Sequence, residues 1–354
     1  MIETLDIKIS KVNQSKLAET DFSDLPFGKV FTDHMFTADF EDGEWKNLQI
    51  LPYGPIPMSP AISALHYGQA IFEGMKAYKL KNGDISIFRG DKNFERFNKS
   101  ADRMAMPTIP EEIFMQGIAT LIEIDRNWVP DAEGHSLYIR PVMFATDPVL
   151  GVRASSSYKF VVLTNPSGPY YNKALKVKIE THYTRADEGG VGFSKTAGNY
   201  GRSLYPFAQA QKEGFDQLIW TDSKEHLFVE ESGTANLMFV IDGKVVTPDL
   251  HGTILDGVTR DTVIALAKQM GVEVEERKIS ILEVIEKIGN GHLTEAFAVG
   301  TAATITQIGE IGYNGELYML PEPSTRKISN SILKELNNIR YGITPDTFGW
   351  NKVV

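Results

Sequence analysis

A single lysine, Lys195, stands inside the densest glycine cluster of the chain, GGVGFSKTAGNYG at 189–201. An amine attacks a carbonyl only when unprotonated, so lysines that form Schiff bases sit desolvated in enclosed sites. Small neighbours let a large planar molecule approach the backbone, and Tyr200 could supply an aromatic wall beside it. Two other readings stand next to this one. The run Gly189-x4-Ser194-Lys195-Thr196 nearly fits the phosphate loop of a nucleotide-binding module. Ser194 occupies the place of the glycine before the lysine, however, and the upstream TRADEGG is polar where such a loop follows a buried strand. The glycines could also simply turn a surface loop.

Three more clusters carry chemistry. Glu230-Glu231-Ser232-Gly233-Thr234-Ala235-Asn236 leads into the strand pattern LMFVI. Two acids at a strand mouth are commonly a solvated turn, but a carboxylate beside a pyridine nitrogen would keep that nitrogen protonated and the ring electron-accepting. Leu255-Asp256-Gly257-Val258-Thr259-Arg260 precedes a helical pattern, and exposed amides at a helix start seat phosphate; Thr259 could instead be only an N-cap. Val299-Gly300-Thr301-Ala302-Ala303 is a small-residue turn whose amides could meet an anion. Arg89 is an available guanidinium for phosphate, with a plain surface arginine as the alternative.

These residues need elements to position them. MKAYKL and DISIFR flank Asn82-Gly83, a hairpin signal. Phe94, Phe97, Ala101 and Met104 recur at helical spacing, predicting a helix over 91–105, and a second runs from Pro110 to about Asn127. Strands are expected at 136–144, 158–165, 294–299 and in the alternating ALKVKIETHY at 174–183, a hairpin around Asp242-Gly243, and helices at 259–270, 281–289 and 325–339. The turn-rich NPSGPYYNK at 165–173 suggests a boundary between two α/β-type domains. In a strand, Tyr138 and Arg140 face the same side, so an aromatic wall and a cation can line one pocket; the alternative is a structural ion pair for Arg140.

With 42% hydrophobic and 23% charged residues over 354 positions, a sizeable core is available. The net charge of −10 and dispersed basic residues argue against nucleic-acid binding. No apolar run approaches the length of a membrane span, and the amino terminus has no signal-peptide core, so a cytoplasmic location is expected. The absence of cysteine excludes thiol chemistry, and the scattered histidines suggest no metal site.

Taken in order, FGKVFTDHMF, ALHYGQAIFEGMKAY, IFRGDKNFERF, SLYIRPV, KTAGNYG, EESGTANLMF, LDGVTR and AVGTAA resemble the class IV, fold-type IV pyridoxal-phosphate aminotransferases, most closely the branched-chain aminotransferase family. The resemblance implies a mixed α/β two-domain fold: a smaller N-terminal α/β domain (1–168), a linker (169–181) and a larger, β-rich C-terminal pseudo-barrel with helices (182–354). It implies transamination of leucine, isoleucine and valine with 2-oxoglutarate, and a homodimer. Lys195 would hold pyridoxal 5'-phosphate and move the substrate α-proton. Glu231 would pair with the pyridine nitrogen, and Tyr200 would lie near the cofactor's phenolic oxygen. Arg89, Val258, Thr259 and Thr301 would hold the phosphate, and the Thr301-Ala302 turn the substrate α-carboxylate. Phe31, Tyr67, Phe72, Tyr138, Tyr170 and Thr234 would enclose the side chain, while Arg140 would engage the distal carboxylate of glutamate. Met238 departs from the family's usual aromatic, a change expected to affect packing behind the site. A D-amino-acid aminotransferase or an aminodeoxychorismate lyase of the same fold are the rival activities.

Overall fold

The computed structural model describes residues 5–171 and 173–354. Two units emerge: the chain up to Tyr170, with Ser194–Gly198 and Ile339–Val354, forms the first, and Tyr171–Phe193 with Asn199–Asn338 the second.

The first unit contains β1 (Lys8–Ile9), β2 (His34–Glu41), β3 (Glu44–Pro52), β4 (Ala70–Phe72), β5 (Met75–Lys79), β6 (Ile85–Phe88), β7 (Ser136–Ala145) and β8 (Tyr158–Ser167), with helices α1 (Ser63–Tyr67), α2 (Gly90–Arg103) and α3 (Glu111–Ile124). The sheet runs β1-β3-β2-β8-β7-β5-β6, with β4 branching onto β7. The Asn82-Gly83 turn joins β5 to β6 as its sequence predicts. Helix α3 buries Ile113, Phe114, Ile118, Leu121 and Ile122, the apolar stripe read from its spacing, and packs on β2. Phe36, Phe97, Phe114 and Phe160 are fully buried, with ring centroids 5.5 Å apart for Phe97–Phe160 and 5.7 Å for Phe114–Phe160. Each such side chain contributes roughly 1.5–3 kcal/mol of transfer free energy, so this cluster anchors α2 and α3 to the sheet.

The second unit contains β9 (Leu175–Ile179), β10 (Gln217–Thr221), β11 (Val229–Ser232), β12 (Ala235–Ile241), β13 (Lys244–Thr247), β14 (Val274–Glu276), β15 (Leu293–Gly300), β16 (Thr304–Tyr313) and β17 (Glu316–Met319), with helices α4 (Ala197–Lys212), α5 (Val258–Gln269), α6 (Ile281–Gly289) and α7 (Ile328–Arg340). Its order is β11-β10-β9-β16-β15-β12-β13-β14, and β11 also pairs with β12. That extra pairing closes six strands into a barrel and removes two sheet edges. Val177, Ile219, Leu237, Phe239, Ala296 and Ile308 are wholly buried in its core.

Two expectations change. The strand read from the alternation of ALKVKIETHY is β9, a central barrel strand paired in parallel with β10 and β16, so the range 169–181 expected as linker is in part barrel; Asn172, in the same range, lies outside the described residues. The first unit is also the larger of the two, already by its main body up to Tyr170. A last strand, β18 (Asn351–Val353), pairs antiparallel with β6. Among the described residues, no helix is long and apolar enough to cross a membrane.

Candidate active site

Lys195 belongs to the first unit, and its backbone is tied down on both sides. The Phe72 amide donates to the Lys195 carbonyl at 3.1 Å, next to an antiparallel bridge between Ile71 and Thr196. The Lys195 amide donates to Ser100 Oγ at 2.9 Å, and that fully buried hydroxyl donates to the Arg96 carbonyl at 3.0 Å. Strand β4 and helix α2 therefore fix where the lysine starts. Its Nζ lies 5.1 Å from the Phe72 ring centroid, and the Arg140 guanidinium lies 4.7 Å from the same ring.

Arg140 and Tyr138 share one face of β7, and Arg140 Nη2 donates to the Tyr138 hydroxyl at 3.0 Å. Among the described residues Arg140 makes no ion pair, and its buried Nε has no hydrogen-bond partner, so the structural ion pair considered for it is not found. A half-buried cation without a counter-ion has the charge to receive an anion. Gly74 makes room for this arrangement, since a Cβ there would run into the Tyr138 hydroxyl. Phe27, which the sequence reading passed over, sits edge-on to both Tyr138 (4.8 Å) and Tyr170 (5.0 Å). Phe31 instead stacks on Tyr53 at 4.6 Å. Tyr67 is exposed on α1, its hydroxyl donating to the Leu150 carbonyl. The structure thus gathers Lys195, Phe72, Tyr138, Arg140 and Tyr170, and does not join Phe31 or Tyr67 to them within this chain.

Behind Phe72 lies a wholly buried acid, Glu73, gripped by Arg96 (Nε–Oε1 2.7 Å, Nη2–Oε2 2.9 Å) and by Asn93 Nδ2 at 2.8 Å. Burial pushes the carboxyl up, but the Arg96 charge and hydrogen bonds, the Lys195 charge and the Asn93 amide outweigh it and hold Glu73 below the usual carboxylate range. Arg89, at the turn from β6 into α2, is 5% exposed and takes a left-handed backbone (φ 52°) that costs a non-glycine residue energy. The C-terminal segment holds it there: its amide donates to the Trp350 carbonyl at 2.8 Å, and its guanidinium lies 5.1 Å from the Trp350 ring.

In the second unit Glu231, on β11, is buried, and its Oε1 accepts from the Leu255 amide at 2.8 Å and from Asn236 Nδ2 at 3.2 Å. Asn236 Nδ2 also donates to the Leu255 carbonyl at 2.8 Å. Asn236 pairs with Glu231 across the β11–β12 ladder, so one amide ties the acid to the segment entering α5. Gly257 is required there, because any Cβ would overlap Asn236 Oδ1. Gly257 is also the N-cap of α5 and no side chain caps the helix, which makes Val258 and Thr259 the first helical residues and excludes the N-cap reading of Thr259. On the other side of β12, Asn236 is in register with Val299 of β15, and the Thr301-Ala302 turn follows directly. Thr234 is exposed at the β11–β12 turn, Tyr200 lies half-buried in α4, and Met238 is fully buried on β12.

Two further residues frame the acids. Arg185 Nε lies 3.0 Å from Glu231 Oε2. Glu230, 1% exposed, is pushed up by burial against the opposing influence of the Thr253 hydroxyl (2.6 Å), Arg185 and His251. Nothing in the spacing of TRADEGG singles out Arg185, because its partner lies on β11, far along the chain.

The model of the family described as amino-transferase class IV matches residues 70–311. The chain is 46% identical over 339 residues to a probable branched-chain-amino-acid aminotransferase of Staphylococcus aureus (strain MRSA252), covering 94% of each. It is 44% identical over 348 residues to branched-chain-amino-acid aminotransferase 2 of Bacillus subtilis (strain 168), covering 97% of this chain and 96% of that one. Among solved structures it is similar to the branched-chain amino acid aminotransferase of Escherichia coli (TM-score 0.75, 26% identity, 90% of this chain and 98% of that one). It is also similar to the branched-chain aminotransferase of the thermophilic archaeon Thermoproteus uzoniensis with norvaline (TM-score 0.75, 25% identity, 90% and 99%). With the family model spanning most of the length and both curated relatives aligned nearly end to end, this chain belongs to the class IV aminotransferases.

Proposed function

We propose that this protein transaminates leucine, isoleucine and valine with 2-oxoglutarate, yielding branched-chain 2-oxo acids and L-glutamate, with pyridoxal 5'-phosphate as cofactor. The observation that carries the reading is one aromatic ring, Phe72, contacted by both the Lys195 amine and the Arg140 guanidinium. An amine carrier, an apolar wall and a carboxylate receptor together suit an enzyme that must accept a branched side chain and then a dicarboxylate. The names of the two curated relatives favour this activity over D-amino-acid transamination or lyase chemistry.

The donor set also fits the cofactor: a lysine, a buried carboxylate, and a glycine-capped helix N-terminus whose entering segment, at Leu255, is tied to that carboxylate through Asn236. When bound, pyridoxal phosphate supplies an electron sink for negative charge at the substrate α-carbon. Lys195 Nζ would hold the group and, once released, carry the proton to and from that carbon. Glu231 would keep the ring nitrogen protonated, and Tyr200 would hydrogen-bond near the phenolic oxygen. Arg89, the amides of Val258 and Thr259, and Thr301 would take the phosphate, while Ala302 and Thr301 would meet the α-carboxylate. Phe72 and Tyr138 would exclude water from the side-chain pocket, with Tyr170, Phe31, Tyr67 and Thr234 at its border. The exposed Leu65, Tyr67, Leu150 and Val152 support a homodimer, with sedimentation equilibrium as its check.

Borohydride reduction of the yellow holoenzyme followed by peptide mapping tests the assignment. Burial, helped by the charge of Arg340, pushes Lys76 down to about 7, which makes it a rival nucleophile. The label is expected on Lys195; a label on Lys76, or no loss of the near-visible absorption on adding leucine, would overturn the reading.

A further inference from the structure

The acids Glu230 and Glu231 are adjacent on β11, both buried, and both in the field of a single guanidinium. A buried carboxyl tends to take up a proton unless a cation or several donors hold it ionised. The donors here are unequally shared. Glu231 has direct contact with Arg185 at 3.0 Å, plus the Leu255 amide and the Asn236 side chain. Glu230 has only the Thr253 hydroxyl at hydrogen-bond distance, with His251 Nε2 at 3.5 Å, and its Oε2 is buried without a hydrogen-bond partner among the described residues. Arg185 is itself fixed, 7% exposed, with Nη2 donating to the Gly192 carbonyl at 3.3 Å and to the Thr253 carbonyl. Its neighbours Gly192 and Thr253 lie in the two segments that flank the acid, so the guanidinium cannot swing away without breaking both.

We propose that Arg185 is the positioning residue of this acid: it holds Glu231 as an ionised, oriented carboxylate, so that a ring nitrogen presented to Glu231 keeps its proton. The proposal rests on the role given to Glu231 above. Because the guanidinium touches the carboxylate directly, it is nearer to that group than to any base the carboxylate serves. Its positive charge therefore favours carboxylate with protonated nitrogen over carboxylic acid with bare nitrogen. Neighbouring groups with opposed environments commonly divide protonation roles in this way, here an ionised Glu231 beside a Glu230 biased towards its neutral form.

The test loads full-length protein with pyridoxal 5'-phosphate labelled with ¹⁵N in the ring and reads the nitrogen resonance against pH. The unmodified enzyme should show a protonated nitrogen throughout, Glu231→Gln a deprotonated one, and Arg185→Gln a clear move toward deprotonation. Arg185→Gln should also slow α-proton removal from leucine in a single half-reaction about ten- to a hundred-fold, the scale of the one to two pKa units that a close counter-charge is worth, with KM little changed. Arg185→Lys, which keeps the charge but loses the fork, should titrate between the two and stands in where the glutamine variant does not fold. A resonance that moves in Glu231→Gln but in neither Arg185 variant overturns the proposal and leaves the role of Glu231 intact. One that moves in none of the three overturns both.

Discussion

Replacing Arg96 with methionine would test how the substrate side of the site is supported. Glu73 is wholly buried, and Arg96 supplies two of its three side-chain hydrogen bonds together with its closest counter-charge. Removing one member of a buried pair leaves the other uncompensated, at a cost of about 3–5 kcal/mol. For a unit of this size that corresponds to a fall in Tm of roughly 6–20 °C. Thermal unfolding followed by circular dichroism, at saturating cofactor, gives the number. Glu73 is held below its ordinary value of 4.5, so its stabilising contribution is full above that pH and is lost as pH falls through the lower folded value. The gap between the unmodified enzyme and the variant should be level from neutral pH to about 5 and shrink on further acidification. The double change Glu73→Leu with Arg96→Met should recover most of the loss, since neither charge then remains buried. A single-variant loss below about 1 kcal/mol, or a gap that persists unchanged at acid pH, would refute the account of Glu73 as an ion-paired anion.

Arg140→Met should raise the KM for 2-oxoglutarate strongly and disturb the leucine half-reaction much less; equal damage in single-turnover kinetics of the two half-reactions would assign Arg140 to the fold. Arg89→Ala should weaken cofactor affinity in equilibrium titrations while leaving leucine affinity of the loaded enzyme close to normal. Maleimides should leave activity intact, because the chain contains no cysteine; rapid inactivation with labelled lysine would point to an exposed amine in the site.

Local signals were readable in the amino-acid order, and distant ones were not. Asn82-Gly83 and Asp242-Gly243 each determine a hairpin by backbone geometry alone, and the α3 stripe follows from helical period. Lys195 stood out because glycines crowd it. The barrel itself was expected only from the family resemblance; how it closes was not readable, because β9 pairs in parallel with two strands far along the chain, which no period within β9 announces. The residues that hold the chemistry in place were hidden for the same reason. Ser100 lies 95 positions from the lysine whose amide it receives, and Arg185 meets Glu231 only after α4 and β10 have come between them in the chain. Phe27 was passed over because an aromatic in a loop carries no periodic signal, and contacts with Tyr138 and Tyr170 alone give it meaning.

The strand β18 and the Trp350 carbonyl that holds Arg89 impose an order of events on synthesis. Chains fold as they emerge, N-terminal parts first. The first unit, however, draws on Ser194–Gly198 and Ile339–Val354, which the ribosome makes only after the unit's main body, and in the second case after the whole of the other unit. Until then β6 is an open edge, and Arg89 lacks the carbonyl and the indole that hold its strained backbone. If Arg89 takes the phosphate as proposed above, a nascent chain would meet pyridoxal phosphate with that arginine unset until translation passes Trp350. On that assignment a chain stopped short of residue 350 would keep Lys195 and Glu231 yet hold the cofactor more weakly, because the support of Arg89 comes last.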